Sequence, residues 1–338
     1  MYCKPNSEVM IGVFQHDDVL HLISDFTESG FAFVSFDGEK KYFIPSESSD
    51  VYVEKVSSDA LYLSNTTAIV TNDFHKKSFE SLVQKGLEAI ENGTFHKVVL
   101  SRKEASKISN LDFEMVVNGL QFNYPNAFNY CFFHPKIGMW IGATPEQFLQ
   151  TEDVKIKTVA LAGTQLFSQS IQWKSKEKQE QEFVTDFIVS NLKEYCAAIT
   201  VSEPYTTIAG TIAHIKTDIS AELNSKNDLG KIIEKLHPTP AVCGLPAATA
   251  KQFILKNEGY NRKFYTGFLG ELNINFKTFK KEQSDLFVNL RCMDIDKNTA
   301  TIYVGCGITK DSIPEMEYIE TVNKSMTIRK VVNLTQDL

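Results

Sequence analysis

Between Leu236 and Pro246 the chain reads LHPTPAVCGLP, with three prolines and a glycine set between two stretches of helical character. Proline fixes φ and pushes the preceding residue to extended backbone, so His237-Pro238-Thr239-Pro240 suits neither a helix interior nor a central strand. The segment predicts a rigid loop without a regular ladder, around which the neighbouring elements must be arranged. Gly244 permits close approach of backbone to a ligand. Pro246 suits the first turn of a helix over AATAKQFILK, whose free N–H groups favour an anion.

The surroundings of this loop are those of an ordinary globule. Of 338 residues, 43% are hydrophobic and 23% charged, which fits neither a disordered polar chain nor a membrane bundle. No window approaches the roughly 20 apolar residues that span a bilayer. The opening residues lack the charged-then-apolar pattern of a signal peptide, so a cytoplasmic location is expected. Cys3, Cys131, Cys196, Cys243, Cys292 and Cys306 are scattered, which argues for reduced thiols over a zinc site or a disulfide framework. A net charge of −7 without a long Lys/Arg run argues against nucleic acid or an anionic membrane as partner. A small anionic substrate fits only if the few basic groups gather in one pocket.

Residues 1 to about 70 read as strands and turns, with FAFVSFDGEKKYFIP alternating around Asp37-Gly38 as a hairpin would. From Asp73 to Asn92 the spacing of Phe79, Leu82, Val83, Leu87 and Ile90 predicts a helix, stopped by Gly93. FHKVVLSRKEA then reads as a strand with Lys97 at its head. Asp112 caps a second helix, and the strands AFNYCFFHP and GMWIGA follow. Thr144-Pro145-Glu146 has the form of a short helix start, with Glu146 complementing the dipole.

After the strand VKIKTVALAGT comes the most charged helix, WKSKEKQEQEFVTDFIVSNLKEYC. Val184, Phe187, Ile188 and Leu192 define its buried stripe, and stepping back by four and three residues reaches Glu180 and Glu177. Glu182 lies on a wetter side, where it can pair with Lys178, as Lys176 can with Glu180. Near the end of the chain Pro314 opens another helix, on which Glu317, Glu320 and Lys324 share one face. Two helices that each offer two carboxylates would suit a hard, oxygen-liganded ion such as Mg²⁺. Arg291 stands within the apolar run SDLFVNLRCMDI, read as a strand, and invites a buried anion. Gly305 and Gly307 flank Cys306 where backbone N–H groups can meet an anion. No linker or repeat interrupts the chain, so residues 1–338 are expected to form one domain.

Taken in order, KVVLSR, GATPEQF, ALAGT, KEKQEQEFV, HPTPAVCGLP, FYTGFLGEL, NLRC and GCGI…PEMEYIETVNK resemble the chorismate-utilising enzymes, and among them most the isochorismate synthases. The resemblance runs from about residue 79 to 330 and leaves the strand-rich residues 1–70 uncovered. It implies an α+β fold of two stacked antiparallel sheets flanked by helices, with a Mg²⁺-dependent site between them. It also implies an isomerase that adds water at carbon 2 of chorismate and expels the carbon-4 hydroxyl, feeding menaquinone or a siderophore.

The roles are carried over residue by residue. Lys97 matches the family's base and Glu146 its acid. Glu180 and Glu320 match Mg²⁺ ligands, with Glu177 and Glu317 near or in the water shell. Arg291 and Tyr265 would hold the enolpyruvyl carboxylate, helped by backbone at Gly305 and Gly307, and His237 and Lys324 would hold the substrate beside the metal. Gln181 stands where many relatives carry a histidine. Ala162 stands where aminodeoxychorismate synthases tend to place a nucleophilic lysine, which leaves room for water. The central loop also differs from that of anthranilate synthases, so no glutaminase subunit is expected, and a monomer is. A salicylate synthase, which goes on to eliminate pyruvate, and a non-catalytic binder of chorismate-like diacids are the alternatives.

Overall fold

The structure, a computed structural model, describes residues 1–56, 73–108, 111–166, 171–209, 212–332 and 334–337. The part of the strand-rich N-terminal reading that covers 57–70 lies outside them. Two large antiparallel sheets carry most of the strands. In the first, Gly244–Leu245, Lys97–Ile108, Thr299–Ile308, Cys292–Asp296, Gly138–Thr144 and Phe128–His134 lie side by side, followed by Tyr2–Cys3, Val9–Gln15 and Ser49–Lys55. In the second, Cys196–Val201, Ile212–Leu223, Lys155–Leu166, Gln147–Glu152, Gln283–Val288 and Phe268–Leu272 precede Gly30–Val34, Lys41–Pro45 and His21–Leu22. The N-terminal residues therefore edge both sheets, and the hairpin around Asp37-Gly38 forms as expected, with Gly38 at φ 77°.

Alternation along each strand divides its side chains between two faces. In Gly30–Val34, Phe31 and Phe33 enter an aromatic layer between the sheets, while Ala32 and Val34 face helices. Phe33 stacks on Phe264 and Phe132 with centroids 4.1 and 4.2 Å apart, and Phe128 stacks on Phe287 at 4.4 Å. Such pairs add about 0.5–1.5 kcal/mol each beyond the area they bury. The helices are α1 (Asp73–Glu91), α2 (Phe113–Asn123), α3 (Ser175–Leu192), α4 (Leu229–Leu236), α5 (Ala247–Asn257) and α6 (Pro314–Arg329). Asp112 caps α2 by accepting from the Met115 N–H. α3 and α4 cover the outer face of the second sheet, and the other four cover that of the first. The layers run helix, sheet, sheet, helix: an α+β fold of two stacked antiparallel sheets. No described helix is long and apolar enough to cross a membrane.

Two sequence expectations fail at one place. Thr144-Pro145-Glu146 starts no helix: Thr144 ends a strand of the first sheet and Gln147 begins one of the second. Nor is Arg291 inside a strand, because Asn289–Arg291 crosses from Gln283–Val288 in the second sheet to Cys292–Asp296 in the first. A local pattern cannot reveal that successive strands belong to different sheets. The two crossings run side by side and are stitched together. Thr144 Oγ1 donates to the Val288 carbonyl (2.6 Å), the Val288 N–H to the Glu146 carbonyl (3.0 Å) and the Ala143 N–H to the Arg291 carbonyl (3.1 Å).

The proline-rich loop is also more regular than expected. Gly244–Leu245 pairs with Lys97 and Val98, and Pro246 sits just before α5 rather than within its first turn. Gly244 has φ 139°, and a Cβ there would stand 2.3 Å from the Lys97 carbonyl oxygen. Its absent side chain lets the loop lie on the backbone of the Lys97 strand, which is a structural role and not a ligand contact. Gly244→Ala should therefore lower the thermal midpoint, at a cost of about 1–3 kcal/mol or more. An unchanged midpoint in a melting experiment would show that the loop can move aside.

Candidate active site

A cavity of about 260 Å³ lies beside the paired crossings, with walls from both sheets. Along Lys97–Ile108, Val98 and Leu100 point outward to α1 and α5, so Lys97 and Val99 face inward to the cavity. The same alternation in Thr299–Ile308 turns Tyr303, Gly305 and Gly307 inward. Glu146 comes from one crossing and Arg291, at φ 48°, from the other. Tyr265 stacks on Tyr303 at 5.6 Å, and Tyr303 on Trp140 at 5.4 Å, so the aromatic layer continues to the cavity wall.

The second sheet contributes through an irregularity. Its strand Lys155–Leu166 bulges at Gly163 (φ 69°), between Ala162, which pairs with Ile215, and Thr164, which pairs with His214. A Cβ on Gly163 would meet the Glu177 Cβ at 3.0 Å, so the bulge lets the first turn of α3 approach. That approach brings Glu177 and Glu180 to the cavity, where α6 presents Glu317, Glu320 and Lys324. Gln181, the residue after Glu180, is buried and donates to Thr217 Oγ1 (2.5 Å) and Thr185 Oγ1 (2.9 Å). It ties α3 to the sheet rather than reaching the cavity.

The geometry is dominated by charge. Lys97 Nζ lies 2.6 Å from Glu180 Oε1, and Lys324 Nζ lies 2.7 Å from Glu320 Oε1 while donating to the Gly305 carbonyl at 3.0 Å. Burial pushes the Glu146 carboxyl up to about 7, against the pull of Lys97, Arg291 and Lys324. Burial also raises Glu317, and the neighbouring Glu320 charge adds to it. Glu320 itself is pushed up by burial but ends below the usual carboxylate range, because Lys324, Arg291 and His214 together outweigh the burial. Gly307 makes room for Lys97, whose Cε a Cβ would approach to 3.1 Å, and Gly305 makes room for the Tyr265 hydroxyl.

The four carboxylates suit a divalent cation. Glu177 Oε2 is buried and has no hydrogen-bond partner among the described residues, an acceptor that a cation or its water would satisfy. Among the described residues no three His, Cys, Asp or Glu side chains already converge as a ligand cage. Mg²⁺ does not need one, since it keeps several waters and takes one or two carboxylates plus substrate. Glu180 and Glu320 are each at present held by a lysine, Lys97 and Lys324. Helix α6 is anchored from behind: Arg329 donates to Glu104 Oε2 at 2.6 and 3.0 Å, and Arg102 Nε to Thr321 Oγ1 at 2.7 Å.

Of the fourteen residues given a catalytic, substrate-binding or metal role from the sequence, all but two line this cavity. The exceptions are His237 and Gly244. His237 Nε2 bonds the Ser35 carbonyl at 3.0 Å and its ring packs edge-on against Phe268, with burial holding it down to about 4. The stiff loop turns it toward the second sheet and sends Ala241 and Val242 to the cavity instead. A histidine that sequence reasoning missed does line it: His214, brought down to about 4 by burial and then by Lys324, with its ring bonded to the Gly163 backbone. Its signal was a histidine within the strand-like run IAHIKTD, opposite a bulge that the sequence does not announce.

Comparison with known proteins places this geometry in a family. The family profile described as chorismate binding enzyme matches residues 46–333. The salicylate biosynthesis isochorismate synthase of Pseudomonas aeruginosa is 26% identical over 276 residues, 76% of this chain and 55% of that protein. Anthranilate synthase component 1 of Methanothermobacter thermautotrophicus is 27% identical over 279 residues, 78% of this chain and 58% of that protein. The chain thus spans little more than half the length of these two relatives. The structure of MenF, the menaquinone-specific isochorismate synthase of Escherichia coli, superposes with a TM-score of 0.75 at 21% identity, covering 98% of this chain and 96% of that one. With the profile matched over most of its length and the layered sheets shared, the chain belongs to the chorismate-utilising enzymes.

Proposed function

We propose that the chain is an isochorismate synthase. The observation that carries this reading is that Glu146, with its carboxyl near 7, shares one cavity with Lys97, which gives an acid beside a candidate base. Lys97, acting as the neutral amine, takes a proton from water as the oxygen attacks carbon 2 of chorismate. The ring double bond shifts, the carbon-4 oxygen bond breaks, and Glu146 delivers a proton to the leaving hydroxyl. One water enters and one leaves, so the reaction is an isomerisation.

Arg291 and Tyr265, which both line the cavity, would hold the enolpyruvyl carboxylate, the guanidinium by charge and the phenol, kept neutral by burial, as a donor. Mg²⁺, when bound by Glu180 and Glu320 with Glu177 and Glu317 at hand, would supply positive charge for the ring carboxylate. The cavity calls for that charge. Three basic side chains, Lys97, Arg291 and Lys324, face six carboxyl groups there, and a dianionic substrate would otherwise enter a net negative site. Lys324 lies close to the metal-side acids, where it can steady the substrate. Ala162 offers no amine to compete with water, which supports water as nucleophile and a chain that works without an ammonia-delivering partner.

Incubation with chorismate and Mg²⁺, followed by chromatography, should give isochorismate approaching the same mixture from either direction. Salicylate with equal pyruvate would select a salicylate synthase. Anthranilate formed with ammonium would overturn water as the nucleophile, and binding without turnover would leave a sensor or carrier. Lys97→Ala should lower kcat by about 10²–10⁴-fold with little change in chorismate binding. A variant within a few-fold of the parent would mean that another group activates water.

The metal assignment has its own test. Glu180→Gln and Glu320→Gln should each abolish metal-dependent turnover and weaken Mg²⁺ binding in calorimetry, while the thermal midpoint of the metal-free protein falls little. Full activity in excess chelator would refute it.

The raised Glu146 pKa predicts two pH effects. As a general acid it acts protonated, so kcat/KM should fall above about pH 7, and Glu146→Gln should remove that limb along with most of the activity. In stability the sign follows from the same shift. A carboxyl that rises from 4.5 to about 7 on folding costs stability progressively as pH climbs through that interval and nothing below it. Glu146→Gln should therefore raise the thermal midpoint at pH 8 and leave it unchanged at pH 4. Equal midpoints at pH 8 would show that the carboxyl ionises in the folded protein as easily as in water.

A further inference from the structure

Directly behind the cavity wall lies an ion pair that takes no part in the proposed chemistry. Arg262 and Glu258 face each other with side chains 2% and 1% exposed and a shortest separation of 2.5 Å. A buried pair of this kind is weak evidence for stability, because the cost of desolvating both charges offsets much of their attraction. Its retention calls for another reason.

All five N–H groups of Arg262 are used. Nε and one Nη2 hydrogen go to Glu258 at 2.8 and 2.5 Å, and the second Nη2 hydrogen goes to the Val99 carbonyl at 2.7 Å. Nη1 donates to the Val242 carbonyl and to Thr266 Oγ1, both at 3.1 Å. Val99, Val242 and Thr266 all line the cavity, and each belongs to a different segment. They are the strand headed by Lys97, the proline-rich loop, and the turn that carries Tyr265. Glu258 reinforces the first of these by accepting from the Ser101 N–H at 2.7 Å and from Ser101 Oγ at 2.9 Å. The guanidinium plane itself lies over the Phe36 ring, 4.4 Å from its centroid.

We propose that Arg262, oriented by Glu258, is a positioning residue that fixes the Lys97 strand relative to the Tyr265 turn and so sets the distance between the proton acceptor and the bound enolpyruvyl carboxylate. It is no catalytic residue, since it touches three walls from behind and does not line the cavity. A planar fork with five fixed donors can hold three carbonyl or hydroxyl acceptors and a carboxylate at once, and a lysine cannot. The inference rests on the reaction proposed above. It adds a specific asymmetry: none of the Arg262 bonds reaches α3 or α6 directly, so Mg²⁺ affinity should change far less than kcat on its loss.

The test compares Arg262→Lys, Arg262→Met and Glu258→Gln with the parent protein, all with Mg²⁺. Arg262→Lys should keep the charge opposite Glu258 and the fold, yet lose between about tenfold and 100-fold in kcat, the scale expected of an ångström-sized misplacement. KM for chorismate and the calorimetric Mg²⁺ affinity should stay within about threefold. Glu258→Gln should lie between the parent and Arg262→Met. If Arg262→Lys melts earlier but keeps its kcat, the pair is structural only and the proposal fails. It fails equally if kcat and Mg²⁺ affinity collapse together, or if none of the variants folds, since the pair then serves the whole fold rather than one distance. A parent protein that turns over no chorismate refutes the isochorismate synthase reading itself, which is a separate result.

Discussion

The stitching of two neighbouring sheet crossings is the constraint on which the site depends. A strand that leaves one sheet for another must expose backbone groups at the corner, and buried backbone groups need partners. Here each corner satisfies the other, through Thr144 to Val288, Val288 to Glu146 and Ala143 to Arg291. Asn289, fully buried, closes the remaining gaps by bonding the Phe264 and Gly267 carbonyls, and it accepts from the Thr266 N–H and the Tyr130 hydroxyl. Three turns of chain from distant parts of the sequence are thereby held as one unit. Glu146, Arg291 and Tyr265, one from each, have no freedom to drift apart.

The aromatic layer extends that rigidity. Rings from both sheets interleave through Phe33, Phe132, Phe264 and Trp140, and the last ring contacts, Trp140 to Tyr303 and Tyr303 to Tyr265, end at the cavity. The acidic side is built differently. α3 and α6 pack on the outer faces of opposite sheets; α3 reaches round to the cavity with its first two turns, and α6 with Glu317, Glu320 and Lys324. Separate seats anchor them, Gln181 on Thr217 for α3 and Arg329 on Glu104 for α6. The wall proposed to hold the organic part of a substrate and the wall proposed to hold an ion are therefore seated separately, and they are tied together by the Lys97–Glu180 pair and by Lys324, which donates to the Gly305 carbonyl.

Periodicity made much of this legible. The stripe of Val184, Ile188 and Leu192 is buried as read, and Glu177 and Glu180, stepped back along it, do face the cavity. Pro314 opens α6 at its first turn, with Glu317, Glu320 and Lys324 on one side. What the sequence hid is non-local. Thr144-Pro145-Glu146 satisfies every local rule for a helix start, and it becomes a crossing because Gln147–Glu152 finds a partner strand more than a hundred residues away. Arg291 looked like a strand residue because the apolar runs on either side of it are continuous, although they enter different sheets. His237 stood out because prolines flank it, yet the stiffness that made it conspicuous also aims it into the core. His214, unremarked in an ordinary strand, is the histidine that the bulge at Gly163 brings to the cavity.

A chain with a net charge of −7 could take an anionic ligand only if its basic groups gathered in one place, and the cavity meets that condition in a qualified way. Lys97, Arg291 and Lys324 converge there, but two of them are already neutralised by Glu180 and Glu320. In a partly enclosed site such pairs are strong because water screens them poorly. A dianion alone would have to pull the lysines away and leave two carboxylates uncompensated beside it. Under the proposed metal assignment a divalent cation would exchange partners instead: Glu180 and Glu320 would hold the ion, and Lys97 and Lys324 would be left to face the ligand. The pairing of Glu180 and Glu320 with a lysine each would thus make metal and anionic substrate mutually favourable, while neither of these two acids is left unpaired beforehand.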